Sequence, residues 1–308
     1  MSRKALPPVS LTCRANAKIN LTLEVLGRRP DGYHEIRSVM QALDLHDVLT
    51  FSPAEDLVLT CSQPELDGPD NLALVAAGLL RKETGAGLGA AIALLKRVPV
   101  AGGLGGGSSD AACALRCLSR LWRLRVPAKR LVELAASLGS DVPFFFYDGT
   151  ALAEGRGEVI TPLPPLQPHG VVLVCPSVVI ANKTRELYSR ISTRHFSRGV
   201  VTQDLAAELQ RGGEIDPSRF VNVFLPILIE LSPTVRLCWE VLREVSAAPV
   251  HLSGAGPTLY VLLRDESRAQ ELHRSLSSLR EQQRLPAQVY LTRTARSSSR
   301  ISNPRRFI

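Results

Sequence analysis

Residues 13–27, CRANAKINLTLEVLG, alternate polar and apolar positions, the period of a strand with one covered face. A Pro-Asp-Gly turn follows in RRPDGYHEI (28–36). HDVLTFSP (46–53) and DLVLTCS (56–62) have the same strand character. The period then changes. DNLALVAAGLLRKETG (70–85) has helical spacing, with Asp70 as predicted N-cap and Gly85 as stop. GAAIALLKRVP (89–99) predicts a strand ending at Pro99; SSDAACALRCLSRLW (108–122) and PAKRLVELAASLG (127–139) predict helices. Pro-rich TPLPPLQPHG (161–170) is the best linker. Beyond it come a strand at 170–177, three helical stretches at 204–212, 220–231 and 232–245, a strand–Gly turn–strand at 250–263, a helix at 266–282 and a strand at 286–294. The order fits two mixed α and β domains meeting near residue 165, at 1–165 and 166–292.

Composition changes this picture little. The 308 residues are 45% hydrophobic and 21% charged, an ordinary globular mix. Of the net charge of +8, five charges are arginines in 293–308 (Arg293, Arg296, Arg300, Arg305, Arg306), a stretch without acids, which leaves +3 for the rest. That tail, RTARSSSRISNPRRFI, is expected to be disordered. No secretory leader or membrane-length apolar run is visible, so a cytoplasmic protein is expected. The six cysteines form no CxxC pair; Cys113 and Cys117, four apart on a helix, are expected to be small buried thiols in a reduced protein.

The candidate chemistry begins at PVAGGLGGGSSDAA (99–112), where Gly102 to Gly107 are glycine except Leu104. A flexible linker would have polar flanks, yet a strand precedes and an amphipathic helix follows. A dinucleotide fingerprint needs GxGxxG and an acid about 20 residues on; the frame from Gly103 ends in Ser108, and residue 123 is Arg. A Walker loop needs Lys where Ser108 stands. Two readings remain: a tight packing loop, or an anion cradle whose backbone N–H groups and helix N-terminus converge on phosphate, with Ser108 and Ser109 adding hydroxyls.

PVAGGLGGGSSDAA resembles the phosphate loop of the GHMP kinases. Three more stretches, AKINLTLEVLGRRPDGYHEIRSVMQALDLHD (17–47), LGSDVPFFFYDGTALAEGRGE (138–158) and LSGAGPTLYVLL (252–263), resemble the branch of that family acting on 4-diphosphocytidyl-2-C-methyl-D-erythritol. The resemblance runs over residues 13–292 and rests most on DGYHE after AKINL. It implies a two-domain GHMP kinase fold, with an N-terminal domain like domain 2 of ribosomal protein S5 and a ferredoxin-like C-terminal domain. It implies ATP-dependent phosphorylation of the 2-hydroxyl, with ATP and Mg2+, in non-mevalonate isoprenoid precursor synthesis.

The resemblance also implies residues. Asp141 would be the base and Lys18 its cationic partner. Pro99, Gly102, Gly103, Leu104, Gly105, Gly106, Gly107, Ser108 and Ser109 would hold ATP phosphates, with Asn71 and Lys96 near the adenosine. Asn20 would touch substrate, Lys18 or Asp141, and Tyr33 and His34 would hold the cytidine. Gly254 and Gly256 would lie near the substrate diphosphate. In PSVVIANKTRELY (176–188), Thr184 and Tyr188 are the best match to a Thr-rich stretch, which leaves a second aromatic for the cytosine open. No metal ligand is assigned. A monomer or weak homodimer is expected, with no membrane or nucleic acid partner. Homoserine- or mevalonate-type kinase activity is the nearest rival, disfavoured by DGYHE. A ligand sensor without turnover should lack Lys18 or Asp141. An RNA-binding protein should carry a dense basic-aromatic strip, which is missing.

Overall fold

The computed structural model describes residues 10–147 and 149–295. In chain order its elements are β1 (Leu11–Asn20), β2 (Glu24–Arg28), β3 (His34–Ala54), β4 (Leu57–Cys61), α1 (Leu72–Thr84), β5 (Gly89–Leu95), α2 (Gly106–Leu121), α3 (Ala128–Leu138), β6 (Thr150–Gly155) and β7 (Val159–Leu163). Then follow β8 (Gly170–Pro176), α4 (Lys183–Ser189), α5 (Val200–Gln210), α6 (Phe224–Leu231), α7 (Pro233–Ser246), β9 (His251–Leu252), β10 (Leu259–Leu263), α8 (Glu266–Glu281) and β11 (Ala287–Arg293).

The first half is a seven-stranded sheet organised on the 21-residue β3. One edge of β3 pairs with β1 and then β2; the other pairs with β5 and β6. All neighbours are antiparallel except β4 and β5. The single strand expected at 13–27 is thus two on the same edge of β3, interrupted at Leu21–Leu23 opposite Ser38 and Val39, where three residues face two. Helices α1, α2 and α3 cover one face around Phe51, Leu80, Ile92 and Leu118. The N-cap of α1 is Asn71, whose side chain accepts from Ala73 N at 3.0 Å, rather than Asp70.

The second half is a four-stranded antiparallel sheet in the order β11-β8-β10-β9. Taken with its crossovers this is the ferredoxin-like split β-α-β arrangement. Its core packs around Val172, Leu228, Leu242 and Leu259. A further apolar cluster joins the halves: Ile19, Leu21, Val39 and Leu43 from the first meet Val171, Leu173, Tyr260 and Leu262 from the second. The Pro-rich stretch 164–169 crosses between the sheets here.

Two expectations need correction. The basic tail was expected to begin at residue 293, yet Arg293 ends β11 and pairs with Asp44 at 2.5 Å. Ala295 N donates to Ala42 O at 2.9 Å, so backbone pairing with the first half holds this segment. Residues 296–308, the remainder of the tail, lie outside the described residues. The cysteines of α2 do not stand alone: Cys13 on β1 packs against Cys117 and Cys113, with Cys113 Sγ 2.8 Å from Cys13 Sγ. Packing of α2 on β1 brings them together, a contact that spacing within the helix does not reveal. Burial pushes the Cys113 thiol up to about 12. Among the described residues no helix is long and apolar enough to cross a membrane.

Candidate active site

Lys18 and Asn20 stand two apart near the end of β1 and therefore share a face. Lys18 is buried, and its Nζ donates to Asn20 Oδ1 at 2.7 Å. Asn20 Nδ2 in turn donates to Ser38 Oγ at 2.8 Å, and Ser38 Oγ donates to Thr22 O. This chain leaves the ammonium one direction in which to act. There it meets Asp141 Oδ2 at 3.4 Å. Asp141 begins the 3-10 turn Val142–Phe146 but its side chain makes no cap bond; the carboxylate faces Lys18 and stays 39% exposed. A carboxylate held beside a buried ammonium and open to a cavity can accept a proton from an incoming hydroxyl.

The glycine loop lies over this pair. Lys18 N donates to Leu104 O at 2.9 Å, fastening the loop to β1. Gly103 and Gly105 have φ of 81° and 71°, where a side chain is strained. Space forbids one as well: a Cβ on Gly103 would lie 2.3 Å from Ser253 O, and on Gly105 2.8 Å from the Phe145 ring. The tight-packing reading of the run is therefore realised at these positions. The cradle reading stands beside it. The first bond of α2 runs from Ser109 N to Gly105 O, so the N–H groups of Gly106, Gly107 and Ser108 have no acceptor within the helix.

Beneath the loop lies a buried ion cluster. Lys96 Nζ pairs with Asp47 Oδ2 at 2.5 Å and Asp110 Oδ2 at 2.9 Å. Asp47 Oδ1 also accepts from the backbone of Arg97 and Val98. Burial pushes the Asp110 carboxyl well above the usual carboxylate range, against the pull of Lys96. Burial lowers the Lys96 ammonium, but Asp110 and Asp47 outweigh it and the net direction is up.

A cavity of about 1770 Å³ opens above the pair. Of the residues the sequence points to, Lys18, Asn20, Tyr33, His34, Pro99, Gly102, Gly103, Gly105, Ser108, Asp141, Gly254 and Gly256 line it. The others are placed differently. Leu104 turns into the shared core and Ser109 is buried in α2. Gly106 and Gly107 open α2; a Cβ on Gly106 would point at Val98 and Lys96, not at the cavity. Asn71 spends its side chain capping α1 and donating to Leu66 O, and Lys96 spends its ammonium on Asp47 and Asp110. Neither side chain is presented as a nucleoside ligand.

At the far end, His34 stacks on Tyr188 with ring centroids 5.1 Å apart, and Phe196 lies edge-on to His34 at 6.4 Å. Burial lowers the His34 imidazole, and Arg28 adds to the effect. Burial raises the Tyr188 phenol, and so does Asp141. Tyr188 is thus the aromatic that the fold sets against His34, and it lines the same cavity as Thr184. The guanidinium of Arg156 covers the exposed Tyr33 ring at 4.8 Å. Sequence reasoning missed Arg156, Asp47 and Asp110, Lys183 and Ser253, whose Oγ donates to Gly103 O at 2.9 Å. A signal existed for Asp110 alone, an acid within the apolar start of a helix.

Comparison with known proteins bears on the family and the fold. The family description "GHMP kinases N terminal domain" matches residues 71–149, and "GHMP kinases C terminal" matches 203–281. A 4-diphosphocytidyl-2-C-methyl-D-erythritol kinase of Dehalococcoides mccartyi (strain ATCC BAA-2266 / KCTC 15142 / 195) is 42% identical over 268 residues, 86% of this chain and 94% of the relative. The kinase of that name from Geobacillus thermodenitrificans (strain NG80-2) is 40% identical over 276 residues, 88% and 94% of the two chains. Among solved structures, a 4-(cytidine 5'-diphospho)-2C-methyl-D-erythritol kinase superposes with a TM-score of 0.77 at 30% identity, covering 93% of this chain and all of the other. A homoserine kinase from Cytophaga hutchinsonii reaches 0.71 at 16% identity, covering 95% and 97%, a likeness of fold.

Proposed function

The chain belongs to the 4-diphosphocytidyl-2-C-methyl-D-erythritol kinases, a branch of the GHMP kinases, and on that premise we propose how its residues carry the reaction. The glycine loop and the free N–H groups at the start of α2 hold the ATP phosphates. Asp141 takes the proton of the acceptor's 2-hydroxyl as that oxygen bonds to the γ-phosphorus and the bond from the γ-phosphorus to the β–γ bridging oxygen breaks, so that ADP leaves. Lys18, oriented by Asn20, offsets the charge that develops on the oxygen. The carrying observation is the Lys18–Asp141 approach of 3.4 Å under the glycine loop, within one cavity that extends to His34 and Tyr188.

The donor set also fits Mg2+. Ser108 faces the cavity and offers a hard oxygen, which with phosphate oxygens and water suits that ion. When bound, the ion spreads the phosphate charge. The chain's own residues supply position and proton transfer.

Specificity is assigned to the aromatic end. Tyr33, His34 and Tyr188 offer ring faces and imidazole nitrogens to a pyrimidine, which homoserine, mevalonate and galactose lack. A site built for those hydrogen bonds leaves its own polar groups unpaired with a shorter acceptor. A coupled ADP-release assay with the four acceptors tests this: turnover is expected with 4-diphosphocytidyl-2-C-methyl-D-erythritol and almost none with the others. Tyr33→Ala should raise KM by the equivalent of about 1–3 kcal/mol of lost stacking, with a smaller change in kcat. Efficient phosphorylation of mevalonate or homoserine, or an unchanged KM with kcat abolished, would contradict the assignment.

A further inference from the structure

Three lysines approach the glycine loop, and two have carboxylate partners: Lys18 faces Asp141, and Lys96 faces Asp47 and Asp110. Lys183, the first residue of α4, has none among the described residues. Its Nζ donates to Ala101 O at 2.5 Å and to Gly256 O. These carbonyls belong to the two turns that flank the cavity, the glycine loop and the turn between β9 and β10. Lys183 lines the cavity with them.

Two carbonyl dipoles compensate this half-buried ammonium only in part. Burial pushes Lys183 down to about 8, and the field of Lys18 adds to the effect. Two cations on one cavity repel each other until an anion lies between them. Asp141, the acid that lines the same cavity, is already engaged with Lys18. The missing charge must arrive with a ligand, and the turns that hold Lys183 are those that would flank a phosphate chain.

We propose that Lys183 is a phosphate-binding residue of the active site, its ammonium turning from the Ala101 and Gly256 carbonyls to a non-bridging phosphate oxygen. The proposal rests on the phosphoryl-transfer reading above. The oxygen belongs either to the nucleotide or to the diphosphate of the acceptor. The competing role is a clasp that only fastens the two turns together.

The two roles separate by calorimetry on the full chain at pH 8.5, with ADP and CDP as probes in two buffers of different ionisation enthalpy. A phosphate oxygen restores the proton that Lys183 lacks in the empty site. Wild type should therefore take up a fraction of a proton on binding. Lys183→Met should abolish that uptake and weaken binding at least tenfold, with its thermal midpoint near wild type. Lys183→Arg should restore affinity without uptake, because guanidinium stays charged. The effect with ADP assigns Lys183 to the nucleotide phosphates; the effect with CDP assigns it to the acceptor diphosphate. Lys183→Met with wild-type affinity and uptake for both probes overturns the proposal. So does a weakened variant that keeps the uptake and is not rescued by Arg, the clasp result. A wild type that binds ADP but not CDP contradicts the cytidine reading alone, and the ADP arm then decides on Lys183.

Discussion

Lys18 and Asp141 act across 3.4 Å, and neither has a second partner of opposite charge among the described residues. Asp141→Asn keeps the shape and removes both the base and the charge. We expect kcat to fall by about 10²–10⁴ while ADP affinity is retained. Lys18→Met should cost a similar factor, since the neutral chain leaves Asp141 without its orienting cation. If they work as a unit, the double variant is little worse than either single one. Steady-state rates and nucleotide titrations on the three proteins decide this, and multiplied losses would mean that they act separately. Asn20 holds the Lys18 ammonium by accepting from it and is itself held by Ser38, the arrangement expected of a positioning residue in the proposed reaction.

At the scale of elements, the loop is held from below. The side chains of Lys96, Asp47 and Asp110 are each almost inaccessible, so removing the cation leaves Asp47 without its counter-ion and drives Asp110 further toward its protonated form. Lys96→Met should destabilise the protein by about 3–5 kcal/mol, read from urea unfolding at pH 7.5, and should weaken nucleotide binding because α2 loses its anchor. A variant of unchanged stability would show that the cluster carries no strain in its absence. The second sheet has its own titrating element. His251 on β9 lies between Phe220 and Tyr260, each 5.2 Å away, and among the described residues its Nε2 has no hydrogen-bond partner. Burial pushes its imidazole down to about 4. Below about pH 6.5 the unfolded chain takes up a proton that the folded chain refuses until about pH 4. Stability from this group is therefore complete above pH 6.5 and is lost as pH falls toward 4, by roughly 3 kcal/mol at most. His251→Phe should show a shallower loss over that window than wild type; parallel curves would exclude the histidine as its source.

Across the whole molecule, the site is assembled from both halves. The first supplies Lys18, the glycine loop and Asp141; the second supplies Gly254, Gly256, Tyr188 and Lys183. The halves are tied by the shared apolar cluster and by pairing that runs both ways, as in Leu23 N to Val221 O at 2.7 Å and Val223 N to Leu23 O at 3.0 Å. Tyr260, wholly buried, reaches from β10 to donate to Asn20 O at 2.8 Å, so the second sheet supports the strand that carries Lys18 and Asn20. We expect one cooperative thermal transition with calorimetric and van't Hoff enthalpies in agreement. Two resolved transitions would mean that the halves unfold independently and that the shared cluster couples them weakly.

The sequence by itself determined what depends on neighbours along the chain. Alternation placed Lys18 and Asn20 on one face of β1, and helical spacing with stop signals located α1, α2, α3, α7 and α8 within a few residues. The glycine run into α2 marked a loop ending in unpaired helix N–H groups, the loop proposed above to hold phosphate, because such a cradle is a local construction. Local period did not separate β1 from β2 or reveal that residues 34–54 form one strand, since those features follow from where the partner strands end. Only the tertiary structure decided which distant groups meet. It set Asp141 against Lys18, Arg156 over Tyr33, Tyr188 on His34 and Cys13 beside Cys117. It also drew the Lys96 ammonium into the carboxylates of Asp47 and Asp110 and left Lys183 on two carbonyls facing the cavity. The reason is physical: chain period encodes which face of an element is buried, whereas the partner of a charge is set by register and packing between elements remote in sequence.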